Sequence, residues 1–224
     1  MTEEQRGADE PEQPQPAAQA RSALWKELAI LVIVAVVVSL VVRTFLVQTF
    51  WIPSGSMEHT LDEKDRVLVN KLIYDFRDPR RGEIVVFEAP DAWRQITTDK
   101  DFIKRVIGVG GDHVVCCDSA GRITVNGTPL DEPYIFRNDA GVQDAPSLDS
   151  FDIVVPAHRL WVMGDHRSAS SDSRENFRRT QDIMEATIPT SAVVGRAFVL
   201  FWPVSRFSWL TVPDTFDHIA PPGG

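Results

Sequence analysis

The chain is poor in cysteine. It has two in 224 residues, and they are neighbours, Cys116 and Cys117. Adjacent cysteines bridge only by closing a strained eight-membered ring, so no disulfide staple is expected. Nor do they complete a structural zinc site, because no second Cys or His pair stands at ligand spacing. Basic residues are also in deficit, 23 Lys and Arg against 32 Asp and Glu, for a net charge of −9. Phosphate recognition needs clustered cations, so no nucleic-acid partner is expected. The stretch Gly108-Val109-Gly110-Gly111 has no third glycine at the right offset and no helix pattern after it, which excludes a dinucleotide cradle. Asp165, His166 and Asp172 match no common ligand spacing, so neither a metal nor a cofactor is expected. There is no internal repeat, and helix patterns are weak after the first forty-odd residues.

What is present begins with residues 1–27, rich in Glu, Gln, Pro and Ala, which read as a disordered acidic tail. From Leu28 to Val42 no residue is charged and only Ser39 is polar. At 1.5 Å per residue this run covers about 22 Å, short of a ~30 Å hydrocarbon core. Carried through Arg43, whose side chain can snorkel, to Val47, it reaches roughly the full thickness. Residues 28–47 are therefore expected to form a transmembrane anchor. A cleavable signal peptide would need a basic start and an Ala-x-Ala-like site, and neither is here. Arg21 and Lys26 precede the run, but Glu27 and Arg43 dilute the asymmetry that would orient it.

The remainder reads as mostly β. Residues 66–74, 83–87 and 102–109 are strand-like, separated by turn-forming segments. Asp91–Asp101 is polar around an isolated Trp93 and suggests a projecting loop, with Trp51 and Trp93 either at a membrane headgroup level or in the core. Residues 113–156 change texture, with short strands and an Asn126-Gly127 hairpin signal, and read as a small inserted β domain. Leu160–Met163 returns to a buried strand, and Ile188–Trp202 supplies closing strands. The expected fold class is thus a single transmembrane helix followed by an antiparallel β-sheet domain, 48–112 and 157–212, with the insert at 113–156 and a tail at 213–224.

Candidate chemistry centres on Pro53-Ser54-Gly55-Ser56-Met57, a turn able to expose a serine hydroxyl. A serine is a nucleophile only with a base in reach. No Gly-x-Ser-x-Gly elbow is present, and position 59 is His, so there is no helical Ser-x-x-Lys. In strand Phe102–Val109, alternation puts Lys104 on one face with Phe102 and Val106, and Arg105 on the other with Ile103 and Ile107. A lysine on an apolar face loses hydration and its pKa falls; a fall from about 10.4 to about 8 corresponds to roughly 3 kcal/mol. Such a lysine could accept a proton from Ser56. The polar turn Gly164–Arg174 offers hydroxyls, carboxylates and arginines to brace it.

Together, Pro53–Met57, Arg81–Phe87, Lys104–Gly108 and Gly164-Asp165-His166-Arg167 with Ser170, Asp172, Ser173 and Arg174 resemble the ordered motifs of bacterial type I signal (leader) peptidases. The resemblance covers about Phe45 to Trp209. It implies a membrane-anchored Ser/Lys endopeptidase that removes signal peptides from exported preproteins after small residues at −1 and −3. By the same match, Ser56 is the nucleophile and Lys104 the general base, and Ser54 with the Ser56 N–H forms the oxyanion hole. Ser170 orients Lys104, Asp172 and Arg174 support it, and Phe50, Ile52, Met57 and Ile103 line the substrate pockets. The implied partners are secretory preproteins, the lipid bilayer and the export machinery. The implied location is the plasma membrane, N-terminus cytoplasmic and catalytic domain outside. His166 departs from the Asn common in the family and admits a Ser-His-Asp reading with Asp165. The rival readings are a Ser/Lys self-cleaving regulator and a non-catalytic, membrane-tethered β binding module.

Overall fold

The structure, a computed structural model, describes residues 16–41, 47–94 and 99–222, with side chains of 25–39 in the first stretch. The chain divides into two compact units, Met1–Arg43 and Thr44–Gly224.

In the first unit, α1 (Pro16–Val41) is one continuous helix. It corrects the expectation of a disordered tail for residues 16–27, while 1–15 lie outside the described residues. Pro16 is at home in a first helical turn, and Ala17, Ala18, Ala20, Ala23 and Leu24 are strong helix formers, which offsets the segment's polarity. The side chains from Trp25 to Ser39 are exposed. Among the described residues, no helix is long and apolar enough to cross a membrane. Residues 42–46 of the expected anchor lie outside the described residues. Val47 does not extend it, because it opens strand β1 (Val47–Trp51), where it pairs with Asn70.

The second unit is mostly antiparallel β. Its main sheet holds β1, β2 (Arg66–Asn70), β3 (Ile84–Glu88), β4 (Asp101–Val109), β9 (Arg159–Met163), β10 (Ile188–Pro189) and β11 (Val193–Trp202) in the order β1-β2-β11-β3-β4-β9-β10, with β12 (Ser208–Trp209) paired to β11. A second sheet holds β5 (His113–Cys116), β6 (Ile123–Val125), β7 (Thr128–Pro129) and β8 (Phe151–Val154) in the order β7-β6-β5-β8. Asn126 and Gly127 turn β6 into β7 with φ of 51° and 78°, the left-handed pair that a tight hairpin requires and that these residue types tolerate. Among the described residues of this unit, three short α-helices stand beside the sheets: α2 (Ile73–Phe76), α3 (Ser173–Thr180) and α4 (Ile183–Ala186).

Strand β4 positions the site. Its run from Ile103 to Gly108 is buried throughout, and its alternation sends side chains into different clusters. Phe102 and Val106 pack with Val85, Phe87 and Trp93, whereas Ile103 packs with Ile52, Met57 and Val86. Lys104 and Arg105 are thereby forced into the interior on opposite faces, at 4% and 2% exposure.

Of the two places expected for Trp93, it takes the core: it is buried, edge-on to Phe87, and its indole N–H donates to Glu185 O at 2.8 Å. Two expectations need correction. The expected tail from 213 is packed as far as it is described, since Phe216 and Ile219 join one core cluster with Val114, Ile135 and Trp161. Cys116 and Cys117 are joined by a disulfide. The pair sits at the end of β5, with Cys116 still paired to Ile123 and Cys117 beyond the ladder.

Candidate active site

The serine turn is fixed at both ends. Ile52 N–H donates to Asp65 O and Lys64 N–H to Ile52 O, both at 2.9 Å, which closes the loop at its base. Ser54 is extended, Gly55–Met57 forms one tight turn, and Met57, fully buried, plugs it into the core. Ser56 O accepts the His166 N–H at 3.2 Å, tying the turn to the segment after β9. That approach needs glycine at 164, because a Cβ there would collide with the Ser56 carbonyl and the Ser170 side chain.

Lys104 Nζ donates to Ser56 Oγ at 2.6 Å and to Ile103 O at 3.0 Å. Burial lowers its pKa from 10.5 to about 8; Asp172 and Asp165 pull it up against that fall, and Arg174 pushes it down. Ser54 Oγ stands 3.4 Å from Ser56 Oγ. Ser170 adjoins this group, but the expected hydrogen bond to Lys104 is not formed. Its buried Oγ makes no well-formed hydrogen bond, although it lies close enough to Asp172 to help hold that carboxylate.

Asp172 has several jobs at once. Its carboxylate accepts Gly164 N–H at 3.0 Å, caps α3 through Arg174 N–H at 3.0 Å, and pairs with the Arg174 guanidinium at 2.6 Å. Burial would raise its pKa, but Arg174 and these N–H donors outweigh it and hold the carboxyl below its usual range. Asp165 is committed elsewhere. It grips Arg105 through two bonds of 2.9 and 2.6 Å and accepts Thr60 Oγ1 at 2.6 Å. The Ser-His-Asp alternative therefore lacks its carboxylate. His166 instead sets Nδ1 2.8 Å from Glu58 Oε2 and 3.2 Å from Gly55 O.

A cleft of about 460 Å³ opens over this group, within the size range of ligand sites, lined by Ser54, Gly55, Ser56, Phe102, Ile103 and Lys104 among others. Of the four expected pocket residues only Ile103 is part of that lining. Ile52 and Met57 lie behind it in the core at 1% and 0% exposure, with Phe50 packed against them. Glu58 and Trp93 also line the cleft; Trp93 was noted in the sequence for another role, and Glu58 was not singled out. A charged residue inside an apolar strand, as Arg105 is, signals a buried partner, but nothing in the sequence identified it as Asp165.

Among the described residues, no cluster of His, Cys, Asp and Glu is arranged to hold a metal ion. What the group can do chemically is move a proton between a buried amine and a hydroxyl beside an open cleft.

Known proteins resemble this chain. Residues 25–202 match the family described as signal peptidase, peptidase S26. The chain is 35% identical to the signal peptidase I of Mycobacterium tuberculosis over 88% of its own length and 78% of that protein's. It is 40% identical to the probable signal peptidase I-2 of Synechocystis sp., covering 84% of this chain and 78% of that one. A solved signal peptidase I from Enterococcus faecalis is 24% identical with a TM-score of 0.40, covering 54% of this chain and 97% of that one.

Proposed function

Because the chain belongs to the signal peptidase, peptidase S26, family, we propose that this serine endopeptidase cleaves signal peptides with a Ser56/Lys104 dyad held by a membrane anchor. The observation that carries the dyad is the 2.6 Å separation of Lys104 Nζ and Ser56 Oγ, with burial lowering the amine's pKa to about 8.

Deprotonated Lys104 takes the proton of Ser56 Oγ as the oxygen attacks the scissile carbonyl carbon. The resulting oxyanion is held by the Ser54 hydroxyl and the Ser56 N–H, a type of contact commonly worth a few kcal/mol. Lys104 then gives its proton to the departing amine, the C–N bond breaks, and an acyl-Ser56 ester remains. A water molecule, deprotonated by Lys104, attacks that ester, and the proton returns to Ser56 Oγ as the acid product leaves. Asp172 and Arg174 set the charge around Lys104, and Ser170, whose hydroxyl does not bond the amine, packs beside Asp172. Ile103 meets the substrate, and Phe50, Ile52 and Met57 shape the wall behind it, favouring small side chains at −1 and −3.

The apolar run 28–46 is the proposed anchor, with Ser56 about ten residues beyond it, so that cleavage occurs where an exported preprotein's own apolar segment ends. The residues of that run from 28 to 41 are helical, which suits the role. The partners are then the bilayer, secretory preproteins and the export machinery that delivers them, with the catalytic unit outside the plasma membrane.

The pH dependence of preprotein cleavage tests the dyad. kcat/KM should rise through an apparent pKa near 8 and stay high above it. An acid limb that disappears in His166→Asn would assign the base to His166 instead.

A further inference from the structure

Three elements meet behind the serine turn, and none of them belongs to the proton-transfer pair. His166 N–H donates to Ser56 O, and its ring Nδ1 faces two acceptors, Gly55 O at 3.2 Å and Glu58 Oε2 at 2.8 Å. Two acceptors on one nitrogen require that nitrogen to carry the proton, so the ring is in its Nδ1–H form whatever the state of Nε2. Phe136, from the segment between β7 and β8, stacks on the imidazole with ring centroids 3.8 Å apart and planes 18° apart. Phe136 is itself fixed, its N–H donating to Asp165 O at 3.0 Å and its carbonyl accepting Asp144 N–H at 2.9 Å.

We propose that His166, aligned by Glu58 and by the Phe136 ring, is a positioning residue that sets the height of Gly55–Ser56 against Lys104. Phe136 gives the insert between β7 and β8 a part in catalysis. This rests on the reading of Ser56 as the nucleophile. The reasoning is geometric. The Ser56 Oγ position follows from a three-residue turn, and two of that turn's carbonyls, Gly55 O and Ser56 O, hang on one residue. Lose the ring donor, and Gly55 is held only by Glu58 N–H to its carbonyl at 3.0 Å, a bond within the same turn that does not fix it to the scaffold. Because reacting atoms must be aligned closely, a displacement of the order of 1 Å can cost up to about a hundredfold in rate. Gly55, Glu58 and His166 also line the cleft, so the role is read from kcat at saturating substrate, which loss of a ground-state binding contact alone leaves unchanged.

The test compares His166→Phe, which keeps the stacking face but has no donor, with His166→Asn, which offers an amide N–H to the same carbonyl. Both are assayed as full-length protein in detergent on a secretory preprotein, with Ser56→Ala alongside and thermal melting of every variant. His166→Phe should lower kcat at saturating substrate at least about tenfold, and His166→Asn should recover most of the loss. Equal kcat in wild type and His166→Phe, with Ser56→Ala inactive, overturns the positioning role and leaves the dyad standing. Full activity in Ser56→Ala overturns the dyad and this role with it. If His166→Phe melts early, His166→Asn decides: a well-folded Asn variant as slow as the Phe variant contradicts the donor argument.

Discussion

Lys104→Met should change how stability depends on pH, by an amount that follows from the burial of one amine. Lys104 is 4% exposed and its pKa is lowered from 10.5 to about 8 by desolvation. Below about pH 8 the lysine is protonated in both folded and unfolded chains, and the cost of burying the ammonium is present in full. Between about 8 and 10.5 the unfolded chain holds a proton that the folded chain has released, so stability rises with pH. Above 10.5 the amine is neutral in both states and the cost is gone. At about 1.4 kcal/mol per pKa unit, the whole change is about 3 kcal/mol. Methionine has a similar shape and no charge, so subtracting its curve from the wild-type curve removes every other titrating group. Urea unfolding of both full-length proteins in detergent, from pH 7 to 10.5, should show wild type gaining about 3 kcal/mol on the variant. A constant difference across that range would refute the claim that burial depresses the Lys104 pKa.

Other outcomes follow from the same contacts. Asp165→Asn leaves buried Arg105 without its carboxylate and should cost about 3–5 kcal/mol in urea unfolding; a loss under about 1 kcal/mol would mean the pair is not structural. Asp172→Asn removes a negative charge that favours protonated Lys104 and releases Arg174, which opposes it, so the acid limb of kcat/KM should move to lower pH. A move to higher pH would contradict that electrostatic assignment. Gly164→Ala forces a methyl group between the Ser56 carbonyl and Ser170 and should lower kcat at least about tenfold through displacement of the turn, measured as preprotein turnover at saturating substrate.

Period-two alternation was enough to place Lys104 and Arg105 on opposite faces of β4, because a strand allows a residue no other choice. The Asn126-Gly127 turn was legible for the same kind of reason, since few residue types accept its backbone. Sheet order was not. β11 lies between β2 and β3 although it comes last of the three, and no local signal encodes a pairing across more than a hundred residues. Helix α3 was missed because Ser-Arg-Glu-Asn-Phe-Arg-Arg-Thr carries almost no apolar stripe. The legible cue was its cap, Asp172 followed three residues on by Glu175. Within the site, the residue types and their spacing reached Ser56 and Lys104 but not Glu58, which earns its place beside His166 only through the fold. The expected Ser170 bond failed for a related reason: a motif places a hydroxyl near an amine, while its rotamer is set by packing around Gly164.

The most direct measurement is cleavage of a secretory preprotein by the full-length protein and by its Ser56→Ala and Lys104→Ala variants, in detergent, at pH 9. The dyad predicts cleavage by wild type and loss of at least about a thousandfold in either variant. Preprotein cleavage by Lys104→Ala at the wild-type rate would contradict it.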